Sequence, residues 1–170
     1  MAMPDRNPRS TAKIAGHPIH PMLVGFPIAF LVATLVCDLV YVNGGDPAWA
    51  TAALWMVGAG VVSALVAAVF GFTDFLGDER IRYLPDAWRH MVGNLAAVTL
   101  AAISWILRVT QGAQEAVMPW GLTLSVAVAL ILVYTGWKGG EMVFRGRVGV
   151  HEAPTETTIE RTITRERERT

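Results

Sequence analysis

The sequence predicts an all-α integral membrane protein, a four-helix up-down bundle with both termini in the cytoplasm. Hydrophobic residues make up 53% of its 170 positions and charged residues only 16%, whereas a soluble domain usually has about a quarter charged residues. Charges are absent from four long stretches, at 14–37, 47–73, 90–107 and 116–137. Because about 20 apolar residues cross the hydrocarbon core of a bilayer, each stretch predicts one membrane span.

The basic residues beside the spans predict the orientation of the chain. Nine of them flank one set of span ends: Arg6, Arg9, Lys13, Arg80, Arg82, Arg89, Lys138, Arg145 and Arg147. Only Arg108 lies beside the other set. Cytoplasmic loops carry the excess of Lys and Arg, so the pattern predicts a multi-pass protein of the bacterial plasma (inner) membrane with cytoplasmic N- and C-termini.

The chain divides into three regions. We expect a flexible cytoplasmic leader over 1–16, a four-span transmembrane domain over 17–151 and a disordered, charged tail over 152–170. The spans are expected at about 21–42, 48–76, 86–110 and 118–144. Short loops join them, and short loops make neighbouring helices antiparallel, which favours the up-down bundle.

Local signals support individual spans. Pro21 suits the first helical position of span one, and Pro27 inside that span is expected to kink the helix and to free a carbonyl one turn earlier. Span two carries a stripe of small residues on which another helix can pack closely. The stripe consists of Gly60, Ala64, Ala68 and Gly71. Near the far end of span one, Asp38 is expected to pair with Arg108, the one basic residue on that side.

Polar residues gather in one layer at the predicted cytoplasmic ends of the spans. The layer contains His17, His20, Asp74, His90 and Glu141, with His151 shortly after span four. His151 is interpreted as a solvated tail residue. His17 and His20 each precede a proline, which predicts an extended segment with both imidazoles on one side. Asn94 lies one helical turn after His90 and is expected to orient its ring or a bound ligand.

This layer favours a bound redox centre that serves electron transfer, either haem b or a transition-metal ion. Imidazole is the commonest protein ligand of transition metals, and facing helices of a bundle can hold a haem between two histidines. The candidate cofactor-binding residues are His17, His20, His90 and Asn94. The candidate ligands of a metal ion are His17, His20, His90, Asp74 and Glu141.

Two other interpretations stay open. The layer can simply terminate helices, with Asp74 paired to Arg80 or Arg82 and Glu141 paired to Lys138 or Arg145. Alternatively, the protein is a non-catalytic membrane scaffold or accessory subunit that packs on a larger complex through the small-residue stripe.

The expected partners are the lipid bilayer, a redox or membrane-protein partner, and a second copy of the chain in a homo-oligomer. Nucleic acid is not expected, because 14 basic residues balance 14 acidic ones. Transport has little support, since spans two to four have only Ser and Thr as polar residues at mid-membrane depth. No nucleotide-binding loop, nucleophile elbow or zinc-protease motif occurs in the sequence, so a hydrolase has little support too.

Several motifs resemble a known family. They are GHPIHPMLVGFPIAF, CDLVY, GFTDF, RHMVGN and GWKGGEMVFRGRVGV, and together they extend from about Gly16 to His151. The chain resembles the bacterial membrane-protein family known as domain of unknown function 2231. The resemblance implies a four-span membrane domain and no established activity. Family members resemble this chain at His17, His20, Asp38, Asp74, His90, Asn94 and Glu141.

Overall fold

Four long apolar helices form most of the protein. A computed structural model of the chain describes residues 7–150 and Arg167. In that part, the segments long and apolar enough to cross a membrane are Ile19–Gly44, Pro47–Gly77, Pro85–Gln111 and Val117–Phe144. The predicted number of spans is therefore confirmed, and each span begins and ends within two residues of the expected position.

Shorter elements complete the fold. The helices in chain order are α1 (Ile19–Leu23), α2 (Gly25–Gly44), α3 (Pro47–Gly77), α4 (Glu79–Arg82), α5 (Pro85–Gln111) and α6 (Leu122–Phe144). A π-helical turn, Val117–Gly121, precedes α6. Two strands, β1 (Lys13–Ile14) and β2 (His17–Pro18), form an antiparallel hairpin before α1.

The first two spans begin and end where their local chemistry requires. The helix of span one is interrupted at Val24, between α1 and α2, because Pro27 has no N–H to donate one turn back. Gly45, at a φ of 75°, takes the left-handed conformation that ends α2. The Asp46 side chain then accepts a hydrogen bond from the N–H of Ala48 at 2.9 Å and caps α3.

The long helices pack as a square. Helix α2 packs against α3 and α6, and α5 packs against the same two helices, so α2 and α5 lie diagonally opposite each other. The centre is filled by aliphatic side chains that water does not reach. These are Leu31, Val57, Val61, Ala97, Ala101 and Val128.

The small-residue stripe on α3 is used inside the chain. A methyl group added at Gly60 would lie 2.6 Å from Cδ2 of Leu31, and one at Gly71 would lie 2.9 Å from Cε1 of His20. The stripe therefore lets α1 and α2 approach α3 closely. The scaffold interpretation assigned the stripe to an outside partner, and this packing instead occupies it within the bundle.

The leader makes defined contacts from Asn7 onward, although the sequence predicts flexibility there. The Asn7 side-chain amide donates to the carbonyl of Val150 at 2.8 Å, and the N–H of Gly149 donates to the carbonyl of Pro8 at 2.9 Å. Groups distant in sequence supply these partners, so composition alone does not reveal them. Residues 1–6, His151 and the predicted tail over 152–170, apart from Arg167, lie outside the described residues.

Candidate functional site

Two of the predicted site histidines meet across the bundle. His20 on α1 and His90 on α5 have ring centres 6.3 Å apart, with their planes at 90°. Both rings are partly buried. The expected extended conformation of the histidine segment holds for His17 and Pro18 only, because His20 lies within α1. A proline in the first turn of a helix needs no N–H partner, so Pro21 does not prevent this.

Helix α3 holds the His20 ring. Nδ1 of His20 lies 2.8 Å from the backbone carbonyl oxygen of Ala67. One turn further along α3, Gly71 leaves the space in which the ring packs. A carbonyl oxygen only accepts hydrogen bonds, so Nδ1 carries the proton and the lone pair belongs to Nε2.

Helix α6 holds the His90 ring in the same way. Nδ1 of His90 lies 2.8 Å from the carbonyl oxygen of Thr135, and Gly139, one turn later, is the glycine against which the ring packs. Asn94 donates to the backbone carbonyl of His90 at 2.8 Å and accepts from the Thr135 hydroxyl at 3.1 Å. Asn94 therefore supports His90 through its backbone and through Thr135, not by touching the ring nitrogens.

The two imidazole rings thus have matching partners on the helices that hold them. Each donates from Nδ1 to a backbone carbonyl and packs on a glycine four positions after that carbonyl. Among the described residues, neither Nε2 atom has a hydrogen-bond partner. A backbone carbonyl on the second nitrogen is the usual partner of a metal-ligating histidine, because it fixes the tautomer and the ring orientation.

The other predicted ligands do not join the pair. His17 is exposed, and its Nδ1 lies 3.0 Å from the carbonyl oxygen of Ala15. Glu141 pairs with Arg145 at 3.1 Å, one of the two pairings expected for a helix end. Within residues 7–150, no group of three or more His, Cys, Asp or Glu side chains could hold a metal ion. The structure therefore does not bring three or four of the candidate metal ligands together within these residues.

Asp74 is occupied by the leader. Its carboxylate accepts hydrogen bonds from the Ser10 hydroxyl and from the N–H groups of Thr11 and Ala12, at 3.0, 2.7 and 2.8 Å. The pairing of Asp74 with Arg80 or Arg82 that the sequence suggested is wrong, since these acceptor sites are already used.

The two arginines that were candidates for Asp74 have other partners. Arg80 pairs with Asp78 at 2.5 Å, and Arg82 donates to the carbonyl of Leu76 at 2.8 Å. The hydrogen bond from the Arg80 guanidinium holds the pKa of the Asp78 carboxyl well below its usual range.

The sequence motifs and this arrangement agree with one family. A family model described as a predicted membrane protein (DUF2231) matches residues 16–152. The chain belongs to the DUF2231 family. The match begins at the leader hairpin and ends just after α6, so it includes the histidine pair and all four spans. No curated protein and no solved structure matches the chain.

At the far end of this DUF2231 domain lies a second, fully buried polar cluster. Nη2 of Arg108 donates to Oδ2 of Asp38 at 2.7 Å, and both side chains are 0% exposed. The Ser125 hydroxyl donates to the same Oδ2 at 2.7 Å, and Nε of Arg108 donates to the Ser104 hydroxyl at 3.3 Å. The pairing of Asp38 with Arg108 that the sequence predicted is confirmed.

The DUF2231 site depends on groups that the sequence analysis did not single out. Ala67 and Thr135 contribute backbone carbonyls, which any residue has, so no side-chain pattern marks them. A signal does exist in the spacing, because Arg108 follows Asp38 by 70 positions and His90 follows His20 by the same interval. Comparing the chain with itself at that offset would have paired His20 with His90.

Proposed function

We propose that the protein is a four-span, up-down protein of the bacterial plasma membrane that holds a b-type haem between His20 and His90 and carries electrons. The observation that carries the proposal is the contact of the two imidazoles across the bundle, with ring centres 6.3 Å apart. If both imidazoles held one iron, with bonds of about 2 Å, their ring centres would lie about 6 Å apart. The observed separation supports the proposal that His20 and His90 would hold one iron together.

The number of ligands favours haem over a bare metal ion. A structural or catalytic metal ion usually has three or four protein ligands, whereas a haem iron needs only two from the protein. His20 and His90 would supply both through Nε2. When bound, the haem supplies a one-electron redox couple, whose potential is set by its axial ligands and by the polarity around it.

The chain's own residues orient the two ligands. The carbonyls of Ala67 and Thr135 accept the Nδ1 protons, which leaves each Nε2 lone pair free to bind iron. Because these carbonyls belong to different helices, α3 and α6, the two rings are held independently. We place this end of the bundle at the cytoplasmic face, since the basic residues beside it obey the positive-inside rule.

Absorption spectra of purified variants test this function. We expect the full chain from haem-replete cells to show a Soret band and about one haem per chain. His90→Ala and His20→Ala should each abolish or strongly reduce that band, because no other histidine within residues 7–150 faces the site. His17→Ala is the matched control and should leave the spectrum unchanged, since His17 is exposed and bonded to its own turn.

Three results would contradict the haem proposal. If the wild-type protein has no Soret band but contains a near-stoichiometric transition metal, the bound cofactor is a metal ion and not haem. If the wild-type protein shows neither a Soret band nor a bound metal, the redox proposal fails and the scaffold interpretation is left. If the His90→Ala variant keeps the Soret band, His90 is not a haem ligand and the haem is bound at another site.

A further inference from the structure

The leader supports His20, the histidine of the pair that lies nearer the end of its helix. His90 is the sixth residue of the long helix α5, whereas His20 is the second residue of α1, which continues through Val24 into α2 as a single span. The N–H groups in the first turn of a helix have no partners within that helix, so this turn frays most easily unless other groups hold it. The position of His20 therefore depends on contacts made from outside α1.

One such contact runs from Asp74 to the residue before His20. The Asp74 carboxylate accepts the N–H of Ala12 at 2.8 Å, and the carbonyl of the same Ala12 accepts the N–H of Ile19 at 3.0 Å. Two consecutive hydrogen bonds through one residue thus connect α3 to the start of α1. The His20 ring also rests on α3, at Ala67 and Gly71, less than two turns before Asp74.

The carboxylate of Asp74 is well suited to this role. The Ser10 hydroxyl lies 3.0 Å from each of its two oxygens, and the N–H of Thr11 donates to it at 2.7 Å, while the Thr11 hydroxyl lies nearer the carbonyl of Thr73, at 3.0 Å. Hydrogen bonds to an ionised carboxylate are roughly twice as strong as those between neutral groups. Residues 10–12 together with Asp74 form what we call the N-terminal latch.

We propose that Asp74 is a positioning residue for His20, acting through the N-terminal latch, and that the leader thereby controls one ligand of the pair without affecting the other. Within the described part of the leader, residues 7–16, no hydrogen bond reaches His90, Asn94 or Thr135, and α5 and α6 hold His90 directly. The inference deepens the proposed function and rests on it for its consequence at a bound haem. Its structural part, the fixing of the His20 ring, stands without any cofactor.

Chemical modification of histidine tests the structural part. Diethylpyrocarbonate carbethoxylates unprotonated imidazole nitrogens, and peptide mass spectrometry of the full chain in detergent gives a separate rate for each histidine. In Asp74→Asn we expect the His20 rate to rise about tenfold, because the carboxylate contribution to several hydrogen bonds is lost. The His90 rate should change less than about twofold, since its carbonyl partner is on another helix.

Two further variants keep the test decisive. Asp78→Asn is the matched control, because Asp78 also accepts a leader N–H, that of Arg9 at 2.8 Å, but has no connection through Ala12 to Ile19. It should leave both rates unchanged. Ser10→Ala keeps the carboxylate and removes only one donor, so it should raise the His20 rate by a smaller factor. If Asp74→Asn fails to fold, Ser10→Ala carries the test.

The spectrum of the haem-loaded protein gives the second measurement. Asp74→Asn should retain haem through His90 but convert part of it from the low-spin form to the high-spin form, because His20 leaves the iron for part of the time. Asp78→Asn should stay low-spin.

The outcomes separate the two proposals. An unchanged His20 rate in both Asp74→Asn and Ser10→Ala overturns the latch while leaving the haem proposal intact. Equal increases at His20 and His90 also overturn it, because they indicate general loosening of the bundle. A wild-type protein without haem, in which His20 alone responds to Asp74→Asn, contradicts the proposed function and supports the latch.

Discussion

The ion pair of Asp38 and Arg108 places two charges where neither solvent nor lipid headgroups reach them. Removing two charges from water costs several kcal/mol each, and their attraction repays this only when hydrogen bonds satisfy the remaining polar atoms. Ser104 and Ser125 satisfy some of them. Oδ1 of Asp38 and Nη1 of Arg108 have no hydrogen-bond partner among the described residues. The pair is thus held by its mutual contact and two hydroxyls.

Single substitutions in this pair should be much more damaging than their combination. Asp38→Asn or Arg108→Gln leaves one buried charge without its counter-ion, which typically costs about 3–5 kcal/mol. The double variant removes both charges and should lose clearly less than the sum of the two. Reversible unfolding in mixed detergent micelles measures all three. Arg145→Gln is the control, because Arg145 is 81% exposed and a surface pair contributes below about 1 kcal/mol.

Strict additivity of the Asp38 and Arg108 effects would show that the two side chains do not depend on each other. A loss for either single variant no larger than that of Arg145→Gln would contradict the burial of the pair.

At the scale of elements, the glycines of α3 and α6 decide how closely the imidazoles approach these helices. A methyl group at Gly71 would lie 2.9 Å from Cε1 of His20, and one at Gly139 would lie 3.1 Å from Cε1 of His90. Overpacking of this kind usually costs about 1–3 kcal/mol, because the side chain or the helix must move. Both glycines are therefore needed for the ring positions.

We expect Gly71→Ala and Gly139→Ala each to lower the free energy of unfolding by about 1–3 kcal/mol and to weaken or abolish the Soret band. Gly136→Ala is the matched control on α6, since nothing lies within 4 Å of its added methyl group. Alanine favours helix over glycine by up to about 1 kcal/mol, so this variant should be neutral or slightly more stable. Equal behaviour of Gly136→Ala and Gly139→Ala would contradict the packing of His90 on α6.

The sequence predicts elements well when their signal is local. The four spans follow from charge-free apolar stretches, and the break at Val24 follows from Pro27. The leader is different, because its composition resembles a flexible segment while its order comes from Asp74, more than 60 positions away. The sequence therefore suggests Asp74 as a metal ligand, because its true partners are distant along the chain. They are mostly backbone N–H groups, which no side-chain pattern marks.

At the scale of the whole molecule, the contacts relate two halves of the chain. His20 meets His90 near the starts of spans one and three, and Asp38 meets Arg108 near their ends, so α2 and α5 run in the same direction on opposite corners of the square. The candidate site lies between the halves and could be predicted only in part. Histidine identity indicated the ligands, but the diagonal placement of the spans decided that His20 and His90 meet while His17 does not.

The distance between the histidine pair and the ion pair can be compared with the thickness of a membrane. Arg108 follows His90 by 18 positions in one helix, which corresponds to about 27 Å at 1.5 Å per residue. This is close to the thickness of the hydrocarbon core, about 30 Å. We therefore expect the histidine pair and the ion pair near opposite faces of the bilayer, and the distribution of basic residues predicts which face is cytoplasmic.

Reporter fusions test this orientation. Nine basic residues beside the histidine end against Arg108 at the other predict that the histidine end is cytoplasmic. An alkaline phosphatase, active only outside the cytoplasm, should give signal when fused after Gly45 or Gly112, and none when fused after Asp78 or after Thr170. A fluorescent protein that matures only in the cytoplasm should give the opposite pattern. Phosphatase activity at Thr170 with fluorescence at Gly45 would invert the topology and move the histidine pair to the outer face.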